Sequence, residues 1–167
     1  DDIPADFPMQ NPNVYPLKFA KLTVTSTKGK ILEAGCGAGR ILRYYANKGH
    51  DIVGIDFIPS AIEKINKIQP GIRAEVGDIQ KLTFPDRTFK YVLAFRLYHN
   101  LQDELDQAVS ETYRVLELGG KVCVSFRADN IQTWFTDWLT EYRTRKQGNS
   151  APATEFHKMN LKEYEFI

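Results

Sequence analysis

The chain has 167 residues, 43% of them hydrophobic and 26% charged, a composition that suits one soluble globular domain with a sizeable core. Its 22 Lys and Arg against 21 Asp and Glu leave a formal net charge of +1, so bulk electrostatics make no case for nucleic acid or an anionic membrane. No apolar run approaches the roughly 18 to 20 residues that span a bilayer, and no basic-then-apolar leader stands at the start.

In chain order, Pro4, Pro8, Pro12 and Pro16 make residues 1–16 an irregular arm. A short helix and a loop follow to about residue 29. "KILEAG" is a short apolar run ending in glycine and reads as a buried strand. "RILRYYANKGH" carries Ile41, Leu42, Tyr45 and Ala46 at helical spacing, with Gly49 as its stop. "DIVGID" is a second strand. "PSAIEKINKI" is a helix with Pro59 at its start and Ala61, Ile62, Ile65 and Ile68 on one face. "GIRAEVGD" and "KYVLAFR" are the third and fourth strands. "LQDELDQAVSETYRVLEL" is an amphipathic helix running through Leu116, with Gly119-Gly120 ending it, and "KVCVSF" is the fifth strand. Alternating helices and continuously apolar strands predict a doubly wound α/β domain on a mainly parallel sheet. Beyond Phe126, Ile131, Trp134, Phe135, Trp138, Leu139 and Tyr142 share one face of a further helix. The expected organisation is an N-terminal arm over 1–29, an α/β core over 30–126, and a helical segment over 127–167.

Two cysteines, Cys36 and Cys123, are too few for a disulfide framework or a zinc site. Both read as reduced thiols of a cytoplasmic protein. Glycines rather than a base surround Cys36, which argues against a nucleophile.

The informative stretch is "ILEAGCGAGR" at the end of the first strand. Ligands of open parallel sheets bind beyond the carboxyl ends of strands, and glycines there let a ligand approach the backbone. A dinucleotide fingerprint is G-x-G-x-x-G/A. Counted from Gly35 the third position is Arg40, and from Gly37 it is Leu42, so that fingerprint fails. The pattern is instead acidic-x-G-x-G-x-G, led by Glu33. A carboxylate at that point opposes phosphate and favours an amine-bearing or positively charged ligand. Asp56 ends the second strand, where a carboxylate accepts from both hydroxyls of a ribose. Phe57 follows as a surface for a flat base. Asp78, just past the third strand, is placed to accept from an exocyclic amine of adenine, with Ile79 beside the ring. Three acids at three adjacent strand ends describe a pocket for a nucleoside bearing a cation and no phosphate.

These residues resemble the class I S-adenosylmethionine-dependent methyltransferases of the small-molecule type. "ILEAGCGAGR" is similar to their first motif and "IVGIDFIPSAI" to their second. "VGDIQKLTFPDRTFKYVLAFRLYHNL" is similar to the third and fourth, and "ETYRVLELGGKVCVSF" to the segment through the fifth strand. The resemblance covers roughly residues 30 to 126, motif after motif. It implies strand order 3-2-1-4-5 and S-adenosylmethionine as cofactor, with S-adenosylhomocysteine as product. It places Glu33, Gly35, Cys36 and Gly37 at the methionine end, and Asp56 on the ribose. Phe57 or Ile58 would lie beside adenine, Asp78 with Ile79 at the adenine edge, and the backbone of Phe95 or Arg96 on the amino-acid part. The family's terminal antiparallel pair has no counterpart before Ile167, which leaves the fifth strand an edge unless further chain covers it.

On the acceptor side, His99 is either a general base, helped by Tyr98, or a polar residue preceding the helix. Trp134 and Trp138 either wall an apolar substrate site or simply pack. Tyr15, in the proline-rich arm, is a candidate lid over the ligand. The implied activity is methyl transfer to an N, O or C nucleophile of a small molecule, by a monomer or homodimer, with no nucleic-acid partner. A non-catalytic module that binds S-adenosylmethionine or scaffolds a partner is the rival reading.

Overall fold

The computed structural model describes residues 15–101 and 104–125. They belong to one compact unit, Asp1–Phe126. Trp134 and Trp138 lie outside the described residues.

Helix α1 (Tyr15–Thr23) precedes strand β1 (Ile31–Ala34), helix α2 (Arg40–Ala46), strand β2 (Ile52–Asp56) and helix α3 (Pro59–Ile68). Strand β3 (Ala74–Val76), strand β4 (Phe89–Ala94), a single 3₁₀ turn at Tyr98–Asn100, helix α4 (Leu105–Val115) and strand β5 (Leu116–Val124) complete the order. The sheet order is β3-β2-β1-β4-β5, and every pairing is parallel. This is the doubly wound arrangement the sequence predicts. The order reverses at β1, which pairs on one side with β2 and on the other with β4. A crevice therefore opens at the carboxyl end of β1, flanked by the ends of its two neighbours.

The apolar runs explain the layers. All four residues of β1 are buried, as a strand covered on both faces requires. On α2, Ile41, Leu42 and Tyr45 are buried, and on α3, Ile62 and Ile65. These residues join Ala20 and Val24, Ile31, Ile52, Tyr91 and Leu93 in one core cluster. Pro59 occupies the first turn of α3, where its missing N–H costs no helical bond.

The structure departs from the sequence reading at the fourth helix. It stops at Val115, and Leu116 is already extended, with φ −78° and ψ 133°. Leu116 pairs with Phe89, and the next pair joins Tyr91 to Lys121. Residues 117–120 thus form a bulge within β5 rather than the end of a helix. Gly119, at φ 73°, supplies the left-handed turn the bulge needs. The third strand is also shorter than expected, three residues at the edge of the sheet. The first helix begins at Tyr15, inside the expected arm, with Pro16 in its first turn.

Arg114 of α4 fastens the long β3–β4 connection. Its guanidinium donates to the carbonyls of Leu82 and Phe84 and to Asp86 and Glu111, while Glu111 accepts the Leu82 N–H at 2.8 Å. That connection carries Asp78, so the clamp holds the segment that follows β3. Among the described residues no helix is long and apolar enough to cross a membrane.

Candidate functional site

The glycine loop leaves β1 through three left-handed residues, Gly35 (φ 70°), Gly37 (φ 51°) and Gly39 (φ 68°). A side chain is strained in that region, which accounts for glycine at alternate positions. The Gly35 and Cys36 amides both donate to the Ile55 carbonyl at 2.9 Å, so the loop is pinned to the end of β2. Asp56 fastens it from the next position. One carboxylate oxygen accepts the Gly37 N–H at 2.7 Å, and the other accepts the Ile58 N–H at 2.9 Å.

A cleft of roughly 480 Å³ opens here. Among its lining residues are Glu33, Gly35, Cys36 and Gly37 from the loop, and Phe95, Arg96 and His99 from beyond β4. All seven are among the residues singled out from the sequence. Pro16, Arg40 and Asn100 also line it, and nothing in the sequence pattern picks them out.

Glu33 is the unusual group. It is 5% exposed, and its Oε2 is buried with no hydrogen-bond partner among the described residues. Burial pushes its carboxyl up to about 8, partly offset by the Leu42 backbone amide and the Arg40 charge. An acid so placed is a site waiting for a donor, since an unsatisfied buried oxygen is costly. Burial also pushes the Cys36 thiol up, with the Glu33 and Asp56 charges adding to it. Cys36 therefore stays a protonated packing residue under the loop.

Phe57 and Ile58 stand beyond Asp56 as apolar surface, 74% and 56% exposed. Asp78 is half-buried past β3 and accepts the Gln80 N–H at 2.9 Å. It lines a separate small hollow with Ile55, Glu75 and Gly77. Ile79 is 4% exposed, so its side chain belongs to the interior. His99 lines the cleft half-buried, with Nδ1 shielded from water. The Arg96 backbone is left-handed, at φ 58°. Its N–H donates to Ser125 Oγ at 2.8 Å, and its carbonyl accepts from Asn100 Nδ2 at 3.0 Å.

Tyr98 corrects the sequence reading. It is 3% exposed, and its hydroxyl is hydrogen-bonded to the Thr112 hydroxyl on α4. The side chain packs in the interior between the 3₁₀ turn and α4, away from the cleft lining. Tyr15 opens α1, next to cleft-lining Pro16.

Comparison with known proteins agrees with this geometry. Residues 31–120, more than half of the chain, match the family model described as a methyltransferase domain. A probable S-adenosylmethionine-dependent methyltransferase of Mycolicibacterium smegmatis is 32% identical over 95 residues, covering 57% of this chain and 37% of that protein. A demethylmenaquinone methyltransferase of Streptomyces avermitilis is 31% identical over 132 residues, covering 79% of this chain and 57% of that protein. A crystal structure of a Pyrococcus horikoshii protein superposes with a TM-score of 0.63 at 26% identity, over 84% of this chain and 64% of that one. The chain thus spans between about a third and two thirds of the length of these relatives. Crevice, glycine loop and family match converge on one conclusion: the chain belongs to the methyltransferase domain family.

Proposed function

We propose that the protein binds S-adenosylmethionine in the cleft beyond β1 and transfers its methyl group to an N, O or C nucleophile of a small molecule. One observation carries the reading: a buried carboxyl with an unsatisfied oxygen, Glu33, borders a cleft whose other wall is a positive-φ glycine loop. That pairing fits an ammonium group on a ligand whose body lies close against backbone. A nucleotide phosphate at this point would meet the Glu33 carboxyl.

In this reading Glu33 takes the cofactor's ammonium and the loop at Gly35 and Gly37 bears on its amino-acid part. Asp56 has lone pairs left for the ribose, Phe57 and Ile58 offer apolar surface to the base, and Asp78 with the Ile79 backbone receives its amine edge. S-adenosylmethionine brings an already activated methyl group on a positively charged sulfur. The residues of this chain therefore need only bind, orient and exclude water. His99 is the cleft-lining group able to take a proton from an acceptor that must lose one. The relative named for demethylmenaquinone supports a small-molecule acceptor. Two free thiols suit a reducing compartment such as the cytoplasm.

Calorimetric titration with S-adenosylmethionine and with S-adenosylhomocysteine tests the reading. Both are expected to bind at one site per chain. Absence of binding by either one overturns it.

A further inference from the structure

The cleft also carries a charge pattern that points to the acceptor. Besides Glu33, its charged lining residues are Arg40 and Arg96. Arg40 stands at the start of α2, within electrostatic reach of Glu33. In the proposed reading, where Glu33 takes the ammonium, Arg40 is thus a partner for the cofactor's own carboxylate. Arg96 lines the same cleft from beyond β4, as His99 does. It is exposed, and its guanidinium has no ion pair among the described residues.

The backbone at Arg96 is held in a conformation that a side chain rarely adopts, at φ 58°. Such a conformation costs about 1 kcal/mol or more and persists only where neighbours enforce it. Here Ser125 Oγ holds its N–H and Asn100 Nδ2 holds its carbonyl. Glycine would sit there without strain, yet the chain keeps an arginine whose five donors match carboxylate and phosphate. Bound S-adenosylmethionine adds a sulfonium and an ammonium against one carboxylate. Among the described residues that line the cleft the acid is Glu33, which takes the ammonium in this reading, so none is left there to pair with Arg96.

We infer that the methyl acceptor is an anionic small molecule, whose carboxylate or phosphate is received by Arg96 as a recognition handle separate from the atom that is methylated. This rests on the proposed methyl transfer. In the step itself the acceptor's lone pair forms a bond to the methyl carbon while the carbon–sulfur bond breaks and leaves its electron pair on sulfur. A proton carried by the acceptor atom passes to water or to His99.

The test uses the full-length protein saturated with S-adenosylmethionine and a panel of matched acceptors. Each is a hydroxy- or amino-substituted aromatic or aliphatic acid, paired with its carboxamide, or a phosphate monoester paired with its alcohol. Methyl transfer is followed with labelled cofactor, and binding of the same compounds is measured by calorimetry on the protein saturated with S-adenosylhomocysteine. Anionic members are expected to bind at least tenfold more tightly than their neutral partners. The carboxylate and phosphate arms show which anion is preferred. Arg96→Gly, which keeps the left-handed backbone, is expected to bring the anion-to-neutral ratio near one. Arg96→Lys is expected to restore part of it. Equal binding of charged and neutral partners overturns the inference, as does a ratio unchanged in Arg96→Gly, or no anion binding at all. If S-adenosylhomocysteine itself does not bind, the failure belongs to the proposed function instead.

Discussion

Asp56 accepts the Gly37 N–H at 2.7 Å and the Ile58 N–H at 2.9 Å. It ties the glycine loop to the start of α3 before any ligand arrives. A carboxylate offers about four lone-pair positions, so two remain for ribose hydroxyls. Asp56→Ala removes both the ties and the ribose acceptors. S-adenosylmethionine affinity is expected to fall by roughly 1.5 to 3 kcal/mol, the usual size of a charge-assisted hydrogen-bond loss. Asp56→Asn keeps one acceptor oxygen and is expected to fall between the two. Titration calorimetry of the three proteins decides it, and equal affinities refute the role. Asp56 was legible in the sequence because its signal is local: an acid closing an apolar strand a fixed distance past a glycine loop. Arg40, Pro16 and Asn100 were not, because each reaches the cleft only through the way α1, α2 and the 3₁₀ turn assemble. Tyr98 was misread for the same reason. Its partner, Thr112, lies 14 residues away on a helix that only the fold brings alongside.

Elements set the height of the loop. Gly54 sits in the middle of β2, directly beneath it. A Cβ there would come within 2.6 Å of Leu42 Cδ2 and 3.1 Å of Cys36 Sγ. Both neighbours are buried, so neither can swing away cheaply. Gly54→Ala is expected to cost about 1 to 3 kcal/mol of stability by overpacking, and to weaken cofactor binding by lifting Cys36 and its loop. Gly49→Ala is the matched control. Gly49 is left-handed at φ 77° with open space around a built Cβ, so it is expected to cost roughly 1 kcal/mol from backbone strain alone with cofactor affinity unchanged. Urea unfolding and calorimetry on both variants separate the effects. Equal losses of affinity would show that the loop responds to stability in general and not to contact with β2. Element identity was well marked in the sequence, since a strand with a continuous apolar run and a helix with a 3.6-residue stripe look different. The α4–β5 boundary was not. "VLELGG" continues the helical stripe through Leu116, and glycines after a helix usually end it. Only pairing of Leu116 with Phe89 shows that the strand has already begun.

At the scale of the whole molecule, the crevice and the stability of the fold meet in Glu33. Its carboxyl is held up to about 8 by burial, against an ordinary value of 4.5. The folded protein therefore binds more protons at this group than the unfolded chain does across that window. The stability this group contributes is fully present below about 4.5 and is lost as pH rises toward about 8. The slope approaches at most about 1.4 kcal/mol per pH unit for one proton. Other groups work in the opposite direction. Arg114 holds the Glu111 carboxyl below its ordinary range, and burial lowers His50, so their contributions are lost as pH falls. A single pH profile mixes these signs, but the difference between wild type and Glu33→Gln isolates one of them. The neutral amide keeps the shape and carries no charge to bury. The variant is expected to gain stability relative to wild type as pH rises through the window, and to lose affinity for S-adenosylhomocysteine, whose ammonium would no longer meet a carboxylate. Urea unfolding at half-unit pH intervals measures the first effect and calorimetry the second. Superimposable stability profiles would mean that water reaches Glu33 in the folded protein. Unchanged affinity would mean that the ammonium lies elsewhere in the cleft. If both effects appear, the instability of the empty crevice and the grip on the ligand have one physical source, a buried acid awaiting its cation.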